Sequence, residues 1–362
     1  MLNPDSEITQ HSALGPLAPR EAILDIQPHE KTPNGRRNKL RMDLNENTVG
    51  APPHVLDFFR RYLTAADLTI YPDYDHALEE LSLHFSVDID ELTLTNGTEE
   101  AIQLVANTYV DEGEEVLLLC PSYAAYRFYS QLAGARIHEI DYSPGFEFPL
   151  EKLLDRIGPP TRALFIGNPN NPTGTVIDTP AIERVLSKAA DTAVLIDEAY
   201  YEFSGITALP LIARHPNLFV SRTFSKAYGL AALRCGCLFS TAENMAHIRK
   251  AQSPYSVNSL AVMAARIAIK DPKFIEDYVL EVLAARELLY VGLERLNIPY
   301  IKSRANFVLF QVGARCLEIH DRLRDRGILV RDCSHDIAGH LRLTLGTRDQ
   351  VERFLDELKQ IW

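Results

Sequence analysis

The sequence predicts an α/β protein: a large unit with a mostly parallel sheet sandwiched by helices, plus a smaller α/β unit at the C-terminal end. Three observations predict it. Short apolar runs alternate with longer amphipathic segments through the middle of the chain, the pattern of strands buried on both faces and joined by helices. After Ser253 the texture changes to two long helical patterns and then strand, helix, strand, strand, helix. Finally, 362 residues exceed the span of one hydrophobic core.

Residues 1 to about 20 are polar and proline-bearing and read as the start of a loose arm, taken as 1–45. The large unit is expected over 46–255. Its strands are "LTLT" at Leu92, "EVLLLC" at Glu115, "ALFIG" at Ala163, "AVLID" at Ala193, "LFVS" at Leu218 and "GCLFS" at Gly236. Helical patterns such as "EEAIQLVANTYV" and "AIERVLSKAA" lie between most of them, whereas the link between the last two reads as loop. The small unit, 256–362, opens with "LAVMAARIAIK" and "PKFIEDYVLEVLAARELLYVGLERL". It continues with "YIKSRANFVLFQV", "CLEIHDRLRDRGILVRD" and "HLRLTLGTRDQVERFLDELKQIW".

The bulk numbers exclude several classes of function. Hydrophobic residues make up 46% and charged residues 24%, the profile of an ordinary soluble protein. A formal net charge of −12 argues against non-specific binding of nucleic acid or anionic lipid. A bound phosphate must therefore meet locally arranged cations and amides. The five cysteines (Cys120, Cys235, Cys237, Cys316, Cys333) are odd in number, and the pair separated by Gly236 suits neither a zinc knuckle nor a redox couple. Buried thiols in a reducing compartment are expected, with no metal site. There is no secretory pattern at the start and no apolar run of roughly 18 residues, so a cytoplasmic location is expected.

Each candidate site segment follows a predicted strand, where open α/β sheets bind ligands. In "TLTNGTEEAIQLV", Gly97 permits a tight turn and Thr98 can cap the helix, giving either an anion site or a plain cap with Glu99 and Glu100 in its first turn. In "CPSYAAYRFY", Tyr123 or Tyr126 could stack on an aromatic ligand. "GNPNNPTGT" is more specific, because its prolines stiffen a turn that presents Asn171 at a fixed angle. "VLIDEAYYEF" ends a buried strand at Asp197, a carboxylate that must face a cation or a protonated nitrogen, with Tyr200 in reach of the same ligand. A magnesium role for Asp197 and Glu198 would want a phosphate loop ending in Gly-Lys-Ser or Gly-Lys-Thr, and none is present.

Lys226 lies in "SRTFSKAYGLAALRCG", with Thr223 and Ser225 before it and Arg234 after. A lysine desolvated near a second cation loses basicity and becomes a nucleophile, while hydroxyls and an arginine make phosphate ligands. A Schiff-base lysine, a phosphate site, a carboxylate for a ring nitrogen and an aromatic platform together meet the needs of pyridoxal 5'-phosphate.

With "NPNNPTG", "DEAYYEF" and "SKAYGLAALRCG" in that order, the chain resembles fold-type I pyridoxal-phosphate aminotransferases, class II, of the histidinol-phosphate aminotransferase family, from about Arg41 onward. The resemblance implies that Lys226 forms the internal aldimine and shuttles the Cα proton. It gives Asp197 the pyridine nitrogen, Asn171 and Tyr200 the ring hydroxyl, and Tyr123 the ring face. Gly97, Thr98, Thr223, Ser225 and Arg234 surround the phosphate, with Glu99 beside them. Tyr71 of "IYPDY" reaches the cofactor of a neighbouring subunit, which implies a homodimer. Arg342 of "LRLTLG" clamps the substrate carboxylate, Arg331 of "ILVRDC" grips a substrate phosphate, and Asn47 lies on the substrate side. Two positions depart from the family pattern: His29 where tyrosine is typical, and Thr48 where proline is usual. The implied reaction is ping-pong transfer from histidinol phosphate to 2-oxoglutarate. An aromatic amino donor and a threonine-phosphate decarboxylase type of lyase are the alternatives.

Overall fold

The computed structural model describes residues 17–24, 26 and 35–362. Among these, eleven strands form two sheets. In chain order they are β1 (Leu40–Met42), β2 (Leu92–Thr95), β3 (Glu115–Cys120), β4 (Arg136–Asp141), β5 (Thr161–Gly167) and β6 (Ala193–Asp197). There follow β7 (Leu218–Thr223), β8 (Gly236–Phe239), β9 (Phe307–Gln311), β10 (Ile328–Asp332) and β11 (His340–Thr344).

The larger sheet runs β2-β8-β7-β6-β5-β3-β4. Only β8 runs against its neighbours, β2 and β7, and the rest pair in parallel. The six strands expected from apolar runs are all present. β4 was not expected, because "RIHEID" lies on the sheet edge and leaves most of its side chains at least partly exposed, so it lacks the apolar signal of a buried strand.

Alternation along the central strands builds the sandwich. Leu164, Ile166, Val194 and Ile196 pack into one apolar layer, whereas Ala163, Phe165, Ala193 and Leu195 pack into the other. Successive side chains point to opposite faces of a strand, so both faces need helices. Burying each large apolar side chain contributes about 1.5–3 kcal/mol, and Phe165, Leu164 and Ile196 are fully buried.

The smaller sheet runs β1-β10-β11-β9. Three of its strands come from the C-terminal hundred residues in the expected order. The fourth, β1, pairs in parallel with β10 through Leu40 to Ile328 and Met42 to Val330. The segment read as a loose arm therefore supplies an edge strand of this sheet. Its three residues were too few to register as a periodic run. Among the described residues, no helix is long and apolar enough to cross a membrane.

The parallel strands place their carboxyl ends side by side. Gly167 on β5 is in register with Asp197 on β6, which is in register with Ser221 on β7. The loops carrying Asn171, Tyr200 and Lys226 leave from this shared edge.

Candidate active site

Asp197 ends β6 with its carboxylate buried. It accepts from Tyr126 Oη at 2.9 Å, Ser221 Oγ at 3.0 Å and the Ala199 amide at 3.1 Å. No cation bonds it among the described residues, and burial pushes the carboxyl up to about 6 despite those three donors. A carboxylate so placed favours a positively charged partner arriving from outside the protein. Glu198, its neighbour, is spent internally: it pairs with Arg222 Nε at 2.7 Å and accepts from Thr207 and Ala208. Of these two neighbouring carboxylates, Asp197 is the one without a cationic partner among the described residues.

Lys226 lies in the loop after β7. Its Nζ donates to the Leu44 carbonyl at 3.1 Å and sits 5.8 Å from the Tyr200 ring centre. Burial and, next, the Arg342 guanidinium pull its pKa down to about 8. The free amine is then abundant two to three pH units earlier than for an exposed lysine. Cofactor-free protein mixed with pyridoxal phosphate should attach it at a rate that climbs with pH and levels off near 8. A rate still climbing toward 10.5, the ordinary lysine value, would show that the amine is not desolvated; growth of visible absorbance reads the rate.

Arg342, on β11, is buried and donates to the Asn171 side-chain oxygen and, at 2.9 Å, to the Asp43 carbonyl. Its Nε is buried without a hydrogen-bond partner. Asn171 is carried by the "NPNNPTG" loop, held by Asn168 bonding both ways with Ile177 and by Asn170 bonding Pro121, Ser122 and Thr173. Tyr200 is buried and its hydroxyl accepts from Asn45 Nδ2 at 3.0 Å. Asn47 donates to the Ala227 carbonyl, next to Lys226, at 3.0 Å.

A second group of residues lies at the start of the helix Thr98–Tyr109. Gly97, at φ 76°, is the N-cap itself, so Thr98 is the first helical residue and does not cap as expected. Its hydroxyl is buried without a partner. A Cβ on Gly97 would come within 2.5 Å of Arg234 Nη2 and displace that guanidinium, and the positive φ itself favours glycine. Arg234 donates to Ser225 Oγ at 3.3 Å and lies 3.7 Å from Glu99. Glu99 accepts from Tyr123 Oη at 2.7 Å. Thr223 Oγ1 bonds the Ser225 amide at 3.1 Å.

This donor set fits pyridoxal phosphate. The orphaned Thr98 hydroxyl, the Arg234 fork and the helix-terminal amides suit a phosphate, and the cation-free Asp197 suits a protonated ring nitrogen. Two expected residues are exposed within the chain. Tyr71 is 75% exposed and stacks on Tyr255 at 4.4 Å. Arg331 is exposed on β10, directly across the strand pair from Arg342. His29 lies outside the described residues, while Thr48 bonds Gln350 Oε1 at 2.6 Å. Sequence reasoning missed Ser221 and Asn45 and took Tyr126 only as a possible platform. Ser221 was findable, since it sits two residues before Thr223 on the same strand face. Among the described residues, no cluster of three or more metal-ligating side chains occurs.

Comparison with known proteins gives concordant results. The family model described as aminotransferase class I and II matches residues 37–358. A histidinol-phosphate aminotransferase of Caldanaerobacter subterraneus is 36% identical, over 89% of this chain and 93% of that protein. One from Carboxydothermus hydrogenoformans is 32% identical, over 94% of this chain and 98% of its own length. The solved histidinol-phosphate aminotransferase of Clostridium acetobutylicum superposes with a TM-score of 0.82 at 26% identity, covering 89% of this chain and 98% of that one.

Proposed function

Because the chain belongs to the class I and II aminotransferases and is a pyridoxal-phosphate-dependent enzyme, we propose that it moves the amino group of histidinol phosphate to 2-oxoglutarate, with Lys226 as the amine that carries the cofactor. The observation that carries this reading is a buried lysine, its basicity lowered by desolvation and by the nearby Arg342 of the adjoining sheet. Named activities of the relatives support the donor.

The bound cofactor supplies an aldehyde carbon and a ring that draws electrons away from the substrate Cα. The chain's own residues supply the rest. Thr98, Ser225, Thr223 and Arg234 would hold the phosphate, and Asp197 would balance a positive charge on the ring nitrogen. Tyr123 would lie against the ring, and Asn171 and Tyr200 would meet its hydroxyl. Lys226 Nζ would serve as the base for the substrate Cα proton. The Leu44 carbonyl beside Nζ and the Tyr200 ring fix where that nitrogen sits.

Ping-pong transfer demands that one site accept two unlike substrates. Histidinol phosphate carries a phosphate, whereas 2-oxoglutarate carries carboxylates. Arg342 and Arg331 face each other across β10 and β11, within about 5.5 Å by strand geometry. Guanidinium forks bind phosphate and carboxylate alike, so this pair can serve both halves of the reaction.

The test compares kcat/KM for histidinol phosphate and for phenylalanine, each with 2-oxoglutarate. The expected preference for histidinol phosphate is roughly 100-fold or more, since a phenyl ring leaves buried polar groups unpaired. Preference for phenylalanine overturns the donor assignment. Carbon dioxide release without consumption of the keto acid points instead to the lyase.

A homodimer completes the reading. Leu68, Ile70, Tyr71 and Tyr255 are each more than half exposed on one side of the chain, an apolar surface that calls for a partner. The free thiols of all five cysteines and the acidic net charge accord with the cytoplasm.

A further inference from the structure

Residues 43–47 cross the site as a strap, and successive residues touch different members of it. The Asp43 carbonyl accepts from Arg342 at 2.9 Å and the Leu44 carbonyl from Lys226 at 3.1 Å. Asn45 bonds Tyr200 Oη at 3.0 Å, and Asn47 bonds the Ala227 carbonyl at 3.0 Å. The strap bends at Asn45, which adopts φ 56°, a left-handed conformation that asparagine enters more readily than most residues with a side chain. Three bonds hold that bend: Asn45 N and Oδ1 both meet Thr344 Oγ1, and the Asn45 carbonyl accepts from Asn306.

The bend leaves two carboxylates, Asp43 and Glu46, within reach of one cation. Arg36, in the turn before β1, takes both. It donates to Asp43 through Nε at 3.1 Å and Nη2 at 2.7 Å, and to Glu46 through Nη1 at 3.1 Å and Nη2 at 2.9 Å. Its side chain is 13% exposed. Although burial works against it, bonding to Asp43 and then Glu46 holds the guanidinium above its ordinary basicity. Arg41 adds only a 3.8 Å contact to Glu46. Without Arg36, two like charges three residues apart would repel across the bend.

We propose that Arg36 is a positioning residue for the transfer reaction, clamping Asp43 and Glu46 so that the strap presents the Asp43 and Leu44 carbonyls and the Asn45 amide to Arg342, Lys226 and Tyr200. This rests on the roles given above to those three residues. Arg36 touches none of the reacting groups itself. Lysine in its place holds one carboxylate but cannot form the fork to both.

The full-length, cofactor-loaded protein carrying Arg36→Met or Arg36→Lys tests this. Measured are KM and kcat separately, thermal unfolding, and hydrogen–deuterium exchange of the peptide spanning 43–47. For Arg36→Met, kcat/KM should fall roughly 10- to 100-fold, the effect of displacing a reacting group by about 1 Å. KM for the donor should rise, and the strap should exchange faster while β5 and β6 keep their protection. Arg36→Lys should recover part of the loss. Unchanged kinetics in Arg36→Met overturn the proposal. So does loss of protection spread evenly through β5 and β6, which would mark Arg36 as a general stabiliser. Exchange does not depend on turnover, so a wild type inactive on every amino donor would sink the functional reading and leave the strap still under test.

Discussion

On the proposed role of Lys226, Lys226→Ala should retain the cofactor and lose turnover by roughly 10⁴-fold or more, because it would remove both the nucleophile and the base. Retention is expected since the phosphate and ring contacts lie elsewhere: Arg234 and Ser225 bond each other at 3.3 Å, and Asp197 is held by Tyr126, Ser221 and Ala199. Alanine is tolerated structurally because, among the described residues, Lys226 Nζ makes a single hydrogen bond, to Leu44. Hydride reduction followed by peptide mapping should label the wild-type lysine and leave the variant peptide unmodified. A variant that turns over near the wild-type rate would end the mechanism.

The second large effect is expected at Asp197→Asn, roughly 1000-fold in kcat, comparable to removing a preorganised charge contact from a water-excluded site. The amide loses the negative charge. It also presents an NH₂ group to a ring of donors, since Tyr126, Ser221 and the Ala199 amide all point hydrogens at this carboxylate. A pH signature separates these effects from simple misfolding. Burial raises the Asp197 carboxyl to about 6 in the folded chain, above its unfolded value. Its contribution to stability is therefore fully present at low pH and is lost as pH rises from about 4 to 6. The full size is about 3 kcal/mol at 1.36 kcal/mol per unit. Glu198 and Glu202 are also raised by burial, so Asn at 197 should flatten the slope without abolishing it. Urea midpoints of cofactor-free protein at pH 4.5 and 7 measure this. Adding cofactor should restore wild-type stability at pH 7 and leave the variant little changed.

Much of this architecture is legible in the sequence because buried parallel strands leave continuous apolar runs. β3, β5, β6 and β7 announce themselves as "EVLLLC", "ALFIG", "AVLID" and "LFVS". The edge strands β2 and β9 still carry apolar runs, in "LTLT" and "YIKSRANFVLFQV", whereas the two unexpected strands, β1 and β4, are edges too short or too exposed to leave one. The site is legible wherever a residue type is costly without a partner, as with Asp197 at a strand end and Lys226 in a crevice loop. It is illegible where a contact depends on distant chain. Asn45 meets Tyr200 across 155 positions and Thr344 across 299, and no local pattern encodes either meeting. Thr98 shows a subtler limit: a threonine beside a glycine at a helix start reads as the cap, yet the glycine takes that place and frees the hydroxyl for another use.

The parallel pairing of Leu40–Met42 with Ile328–Val330 has a consequence for biosynthesis. Among the described residues, β1 leaves the ribosome well before its partner β10, a delay of roughly a quarter of a minute to a minute at ordinary translation speeds. During that interval its backbone is an unpaired edge, open to chaperones or to other nascent chains. The strap follows that strand directly in the chain, so it is anchored only once β10 has been made, and a polypeptide halted short of residue 328 would be released with its B6 pocket half built.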